Sequence, residues 1–242
     1  MTTTINNEEI QKFSKLADEW WDVNGKFKPL HMFNPIRIEY ITEKIKRHFK
    51  IKDGTENYLN GLKILDIGCG GGLISEPLAR LGGAVTGIDA SRKNIGVAKI
   101  HSKINKLNIN YINTSPEQLK DVKNFDVILN LEIVEHVDNV GLYIKSCGNL
   151  LKKNGLMFTA TLNRSLISYL KAIIGAEYIL RWLPIGTHDW NKFLKPEELE
   201  KLLIDEKFST IDIKGLNYNP ILNKWKKTDN LSVNYIVTST RG

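Results

Sequence analysis

The chain has 242 residues, 42% hydrophobic and 25% charged, a balance that belongs to folded globular proteins and excludes disordered or fibrous ones. Its 34 lysines and arginines against 27 acids leave +7, which favours anionic partners, but the basic residues form no long block and no nucleic-acid surface is indicated. Two distant cysteines, Cys69 and Cys147, exclude a disulfide framework and suit a reducing cytoplasm; Met1 to Ile10 lacks a secretory apolar stretch, and no apolar run is long enough to span a bilayer.

Asn6 with Glu9 three residues on resembles a capping box, and Ile10, Phe13, Leu16, Ala17, Trp20 and Trp21 follow at helical spacing. Gly25 to Pro29 reads as a loop. Asn34–Pro35 opens a second helix carrying Ile38, Ile41, Ile45 and Phe49. Strands are expected at Leu62 to Ile67, Ala84 to Asp89, Ile109 to Asn113, Phe125 to Leu131 and Leu156 to Leu162. Helices lie between them, one capped by Ser91 and another over Asp138 to Leu151. Such alternation predicts an α/β fold with a parallel sheet covered on both faces. Pro196 opens a last helix through Glu206. Phe208 to Ile213 and Val233 to Thr240 then read as a closing antiparallel pair, because no helix connects them.

The first strand ends in Asp66-Ile67-Gly68-Cys69-Gly70-Gly71-Gly72. Alternating glycines let backbone approach a ligand unobstructed, ahead of the free N–H groups of a helix N-terminus. Asp89 closes the next strand, about 20 residues further on, where an acid accepts hydrogen bonds from ribose hydroxyls. A nicotinamide site would read G-x-G-x-x-G, with pyrophosphate on the helix. Here Leu73 stands in the third glycine's place, and Asp66 would be a poor neighbour for phosphate. S-adenosylmethionine, with a ribose, a sulfonium and an ammonium but no phosphate, suits this charge pattern better. Gly68, Gly70, Asp66 and Asp89 are therefore the candidate cofactor residues. Replacing Asp89 by alanine is expected to weaken cofactor binding without unfolding the chain.

Leu65 to Gly72 resembles the first motif of class I methyltransferases, whose fold is a Rossmann-like, mostly parallel sheet. That resemblance makes Asp89 the ribose acid and Leu131 a backbone contact on the adenine side. More narrowly, the chain resembles the ubiquinone biosynthesis O-methyltransferases. The matching stretches include Phe27-Lys28-Pro29-Leu30-His31, Asn34-Pro35-Ile36-Arg37, Glu132-Ile133-Val134-Glu135-His136-Val137, Thr161-Leu162-Asn163-Arg164, Gly175 to Leu180, Gly186-Thr187-His188-Asp189 and Gly215 to Pro220. This resemblance implies O-methylation of a polyprenylated catechol and of a demethylated ubiquinol, with other enzymes of the quinone pathway as partners. It also implies that Arg37 binds the cofactor, through a carboxylate to which a guanidinium is well matched.

A phenol titrating near 10 needs a base or a metal to become a good nucleophile. His136, just beyond the fourth strand, stands at the edge where open α/β sheets bind ligands and is the candidate base; a purely local hydrogen-bonding role is the alternative. Glu132, Glu135 and His136 are spaced to share one face of a helical turn and could hold Mg²⁺, although the same spacing suits a plain surface turn and histidine is an awkward ligand for so hard an ion. His188 and Asp189 could reach the acceptor, with local loop structure the plainer role.

Ser165 to Ile185 is unusually apolar for a connector. It could line a tunnel for a lipid tail or lie on an anionic membrane surface with Trp182 at headgroup level, against the plain alternative of a core helical hairpin. The expected organisation is an N-terminal helical lid (1–60), a cofactor-binding core (61–162), the apolar insertion (163–195) and the rest of the sheet (196–242). Location is expected in the cytoplasm, peripheral to the inner face of the membrane. The rivals are a methyltransferase with another small phenolic acceptor, a nicotinamide-dependent oxidoreductase, a lipid-binding module without turnover and, least favoured, an RNA methyltransferase.

Overall fold

The structure is a computed structural model and describes residues 3–52, 54, 56–119, 125–170, 189–219 and 224–242. Among them are α1 (Asn7–Ser14), α2 (Lys28–His48), β1 (Lys63–Ile67), α3 (Ser75–Arg80), β2 (Ala84–Asp89), α4 (Arg92–Ile104), β3 (Asn110–Asn113) and β4 (Phe125–Leu131). Then follow α5 (Val140–Leu150), β5 (Leu151–Leu162), the single turn α6 (Leu166–Ser168), α7 (Pro196–Asp205), β6 (Phe208–Asn219), β7 (Lys224–Thr228) and β8 (Asn234–Arg241). The strands form one sheet in the order β3-β2-β1-β4-β5-β8-β6-β7. β1 to β5 run parallel, whereas β8 is antiparallel to β5 and β6, and β7 to β6.

The central strands are apolar because both faces are covered, and successive side chains feed opposite layers. Leu65 and Ile128 join Tyr143, Ile144 and Cys147 of α5 and Leu199 and Leu203 of α7 in one core. Ile64, Val127 and Leu129 join Tyr40, Ile41 and Ile45 of α2 and Leu78 of α3 in the other. Strand order reverses beside β1, so the carboxyl ends of β1 and β4 open a crevice, and the glycine turn and Glu132 stand there.

The alternating plan and the antiparallel C-terminal strands match the sequence expectation, with four differences. The first helix ends at Ser14 rather than running on to Trp21. The next residues form a short 3₁₀ turn, Ala17–Glu19, because both indoles are held elsewhere: Trp20 Nε1 donates to Asn94 Oδ1 (3.0 Å) and Trp21 Nε1 to the Gly71 carbonyl (2.9 Å). α2 starts at Lys28, taking in part of the expected loop; Pro29 sits in its first turn, where no N–H is needed, and Pro35 lies inside it. β5 begins at Leu151, five residues before the expected Leu156, through a register irregularity opposite Phe125 and Val127. Finally, β6 continues to Asn219 and pairs with an unexpected β7. No helix among the described residues is long and apolar enough to cross a membrane. Most of the apolar insertion, His188 included, lies outside the described residues.

Candidate active site

The glycine turn is shaped by backbone. Gly68 N and Cys69 N donate to the Ile88 carbonyl (2.7 and 3.0 Å), tying the turn to β2. Gly68 has φ +69°, and a Cβ there would lie 2.1 Å from Ile133 Cδ1. Asp89 ends β2 and faces the turn: Oδ2 accepts from Gly70 N (3.0 Å), and Oδ1 from Ser91 N (2.7 Å) and Asn94 Nδ2 (3.4 Å). Burial raises the Asp89 carboxyl above its ordinary range, against the pull of those N–H groups.

Asp66, 3% exposed, sits beneath the turn and accepts from Ser75 Oγ (2.6 Å). Burial lifts it to about 6, opposed by Ser75 and by the Arg37 charge. Arg37, on α2, is itself buried. Its guanidinium lies 4.3 Å over the Phe33 ring, donates to Asn34 Oδ1, and places Nη1 3.6 Å from Glu132 Oε1. Burial lowers its pKa, and the Glu132 and Asp66 charges oppose the shift. Nε is buried with no hydrogen-bond partner among the described residues, a donor beside the cavity that suits a ligand carboxylate.

Leu131 closes β4 and lines the cavity. Glu132 follows at φ +59°, its N–H donating to the Ala160 carbonyl (2.9 Å). A 3₁₀ turn, Val134–His136, comes next. This geometry keeps the Glu132 and Glu135 carboxyls in contact with each other and turns His136 away to α1. Glu132 faces Arg37, while Glu135 is buried and accepts from Thr161 Oγ1 (2.9 Å). Its carboxyl is pushed well above the usual range by burial and by the Glu132 charge. His136 presents Nδ1 to Oε2 of Glu9, 2.9 Å away on α1. Only Glu132 and His136 line the cavity, and among the described residues no three such side chains gather as a metal cage. Glu9 is thus not the second half of a capping box: Asn6 caps α1 by accepting from Glu8 N and Glu9 N, and the Glu9 carboxylate turns to His136. Asp189 accepts from Asn191 N (3.0 Å), the local loop role.

These walls enclose a cavity of about 650 Å³. Two of its surfaces had no sequence signal. Trp20 and Phe27 stack over the turn (ring centroids 3.9 Å apart), and Phe33 stacks on Trp225 of β7 (4.1 Å). Their aromatic spacing reads equally well as ordinary core, so only the tertiary arrangement reveals them.

A family described as "Methyltransferase domain" matches residues 65–159. A ubiquinone biosynthesis O-methyltransferase of Pelagibacter ubique is 61% identical over 233 residues, 96% of this chain and 97% of that protein. Its counterpart in Bartonella bacilliformis is 52% identical over 240 residues, 99% of this chain and 97% of that one. Among solved structures, magnesium protoporphyrin IX methyltransferase from Synechocystis PCC 6803 with bound SAM superposes with a TM-score of 0.64 at 16% identity, covering 99% of this chain and 100% of that one. This last likeness speaks for the fold alone.

Proposed function

This chain belongs to the ubiquinone biosynthesis O-methyltransferases, and from that premise we propose that it methylates phenolic hydroxyls of polyprenylated catechol and demethylubiquinol substrates. It is an S-adenosylmethionine-dependent enzyme of the α/β class. The observation that carries the reading is the glycine turn flanked by buried Asp66 and half-buried Asp89, with a guanidinium nitrogen of Arg37 nearby that has no hydrogen-bond partner among the described residues.

When bound, S-adenosylmethionine supplies an electrophilic methyl on a sulfonium. Asp89 would accept from the ribose hydroxyls, Arg37 would hold the amino-acid carboxylate, and Asp66 would offset positive charge beneath the turn. Gly68, Gly70 and Leu131 offer backbone approach. His136 would take the phenolic proton, and the enclosed walls would orient the acceptor oxygen in line with the methyl, where positioning supplies much of the rate. Glu132 lies against both Arg37 and Glu135, and Glu135 also accepts from Thr161, so these two carboxyls would hold a Mg²⁺ ion when one binds, and the ion would lower the pKa of the phenol.

A prenyl tail needs an apolar exit. Leu170 lines the cavity yet is 51% exposed, and Leu166 beside it is 72% exposed. These residues open the 165–185 segment and support a reading in which that segment meets the tail, and with it the membrane surface, from the cytoplasmic side. Contacts with other quinone-pathway enzymes are part of the same proposal. A panel assay with catechol and demethylquinol acceptors, bearing long, short or no prenyl tails and run with and without a chelator, tests it. Methyl transfer to tailed phenols is the expected result. Turnover lost on chelation would assign a metal to the Glu132–Glu135 pair, and no transfer to any tailed phenol would overturn the substrate assignment.

A further inference from the structure

The cavity wall built by β5, β8, β6 and β7 is mainly apolar, and one buried amide stands in it. Asn234 opens β8 as the register partner of Leu162 on β5, and both line the cavity with Leu216 of β6 and Trp225 of β7. Asn234 is 6% exposed, and its Oδ1 is buried with no hydrogen-bond partner among the described residues. An amide oxygen left unpaired in such a place costs stability, and asparagine is a poor strand former. As packing alone, a leucine would suit this wall better. The amide therefore points to something that binds in the cavity.

The place of Asn234 in the sheet says which ligand that is. Asp89, the ribose acid, ends β2, whereas β8 lies four strands away, about 19 Å by the usual strand spacing. From Leu131 at the end of β4 the separation is two strands, about 10 Å, which leaves room for one aromatic ring between the cofactor side and the amide. We propose that Asn234 is a specificity-determining contact for the acceptor: its Oδ1 accepts from the hydroxyl ortho to the oxygen that is methylated. The inference rests on the reading of the acceptors as a catechol and a demethylated ubiquinol. Both carry that ortho hydroxyl, whatever else differs around their rings. It offers a proton to Oδ1, which a ring hydrogen or a methoxy group does not. Fixing one hydroxyl on β8 leaves its neighbour to meet the methyl, so the same contact selects the ring and the oxygen on it.

The test compares the parent with Asn234→Leu and Asn234→Ala in the full chain. It reads kcat/KM for a prenylated catechol and for the matching monophenol that keeps only the hydroxyl receiving the methyl. S-adenosylhomocysteine affinity by calorimetry and Tm are read beside them. The parent is expected to prefer the catechol at least about tenfold. Both variants are expected to lose most of that preference, with kcat/KM falling about 10- to 100-fold for the catechol and about threefold or less for the monophenol. Cofactor-product affinity should stay within about twofold. Asn234→Leu is expected to match or exceed the parent in Tm, since it fills similar volume without an unpaired oxygen, and Asn234→Ala excludes crowding of the ring as the cause of the loss. Equal losses on the two acceptors, or a loss matched by S-adenosylhomocysteine affinity, would mark a merely structural residue and overturn the proposal. If the parent methylates the catechol and both variants keep its preference, only the role of Asn234 falls. If the parent binds S-adenosylhomocysteine yet methylates neither acceptor, the substrate reading falls and this inference with it.

Discussion

The indole of Trp20 lies so close to the glycine turn that a Cβ on Gly70 would stand 2.4 Å from its Cη2 and Cζ2. The ring cannot easily retreat: it stacks on Phe27 and donates through Nε1 to Asn94. Gly70 also holds φ +53°, where an L-residue pays about 1–2 kcal/mol. Gly70→Ala is therefore expected to lower Tm and to weaken S-adenosylhomocysteine binding at least about tenfold, from backbone strain together with displacement of the ring. In a Trp20→Ala background the steric part vanishes and only the backbone part remains. Calorimetry and thermal unfolding of the single and double variants read both; an affinity within twofold of the parent would show that the turn does not carry the cofactor.

Asp89 does two things at once. Beyond any ribose contact, it satisfies the N–H groups of Gly70 and Ser91. The expectation that Asp89→Ala spares the fold needs amending, since it leaves two partly buried donors unpaired at a cost of about 1–3 kcal/mol each when fully desolvated. The expected result is a lower Tm together with a loss of affinity of at least about tenfold. Asp89→Asn keeps one acceptor and is expected to be the milder of the two in stability. Denaturant midpoints, read beside the binding isotherms, separate the two effects.

What could be read from the chain was what depends on local backbone and on unbroken apolar runs. Gly68, Gly70 and Asp89 signal themselves because the turn requires those residue types whatever surrounds them. β1 and β4 announce themselves through Ile64, Leu65, Val127 and Ile128, which must be apolar on both faces. The partnership of Glu9 with His136 could not be read, because a glutamate three residues after Asn6 already has a sufficient local explanation as a cap. β7 was hidden for a similar reason. Lys224, Lys226 and Lys227 around Trp225 look like a polar connector, whereas on an edge strand such lysines discourage pairing with other chains. That His136 turns toward α1 while Glu132 and Glu135 stay in contact could not be read either, because the left-handed φ of Glu132 is a property of the fold that their spacing does not carry.

Asp66 gives the site a definite pH dependence. Its folded pKa of about 6 lies above the value of about 3.9 for an unfolded chain. The folded state therefore binds this proton more tightly. The penalty of burying the charge is absent below about pH 4, grows through the interval and is complete above about pH 6, where it costs on the order of 3 kcal/mol. A cationic ligand favours the carboxylate, so S-adenosylmethionine affinity is expected to fall as pH drops through about 6, and binding below that pH to release a proton. Calorimetry in buffers of different ionisation enthalpy counts the proton directly. Asp66→Asn is expected to remove this proton release and to raise Tm at pH 8 relative to the parent, since the amide can still accept from Ser75 without a buried charge. Release that persists in Asp66→Asn would assign the proton elsewhere.

Trp225 tests the division of the cavity between its two occupants. It reaches in from the edge hairpin, stacks on Phe33 at 4.1 Å and meets Tyr218 at 5.5 Å, while Arg37 lies over the same Phe33 ring. Aromatic pairs of this kind contribute about 0.5–1.5 kcal/mol beyond their burial, enough to hold a wall without fixing the fold. The glycine turn and Asp89 belong to β1 and β2, on the far side of β4, β5, β8 and β6 from β7 in strand order. Trp225→Ala is therefore expected to raise KM for a tailed phenol about tenfold, with S-adenosylhomocysteine affinity within about twofold. A short-tailed acceptor should suffer less than a long one if the wall also guides the tail. Should the cofactor-product affinity fall in step with KM, the Phe33–Trp225 stack would be holding Arg37 in place rather than receiving the acceptor, because the guanidinium rests on that same ring.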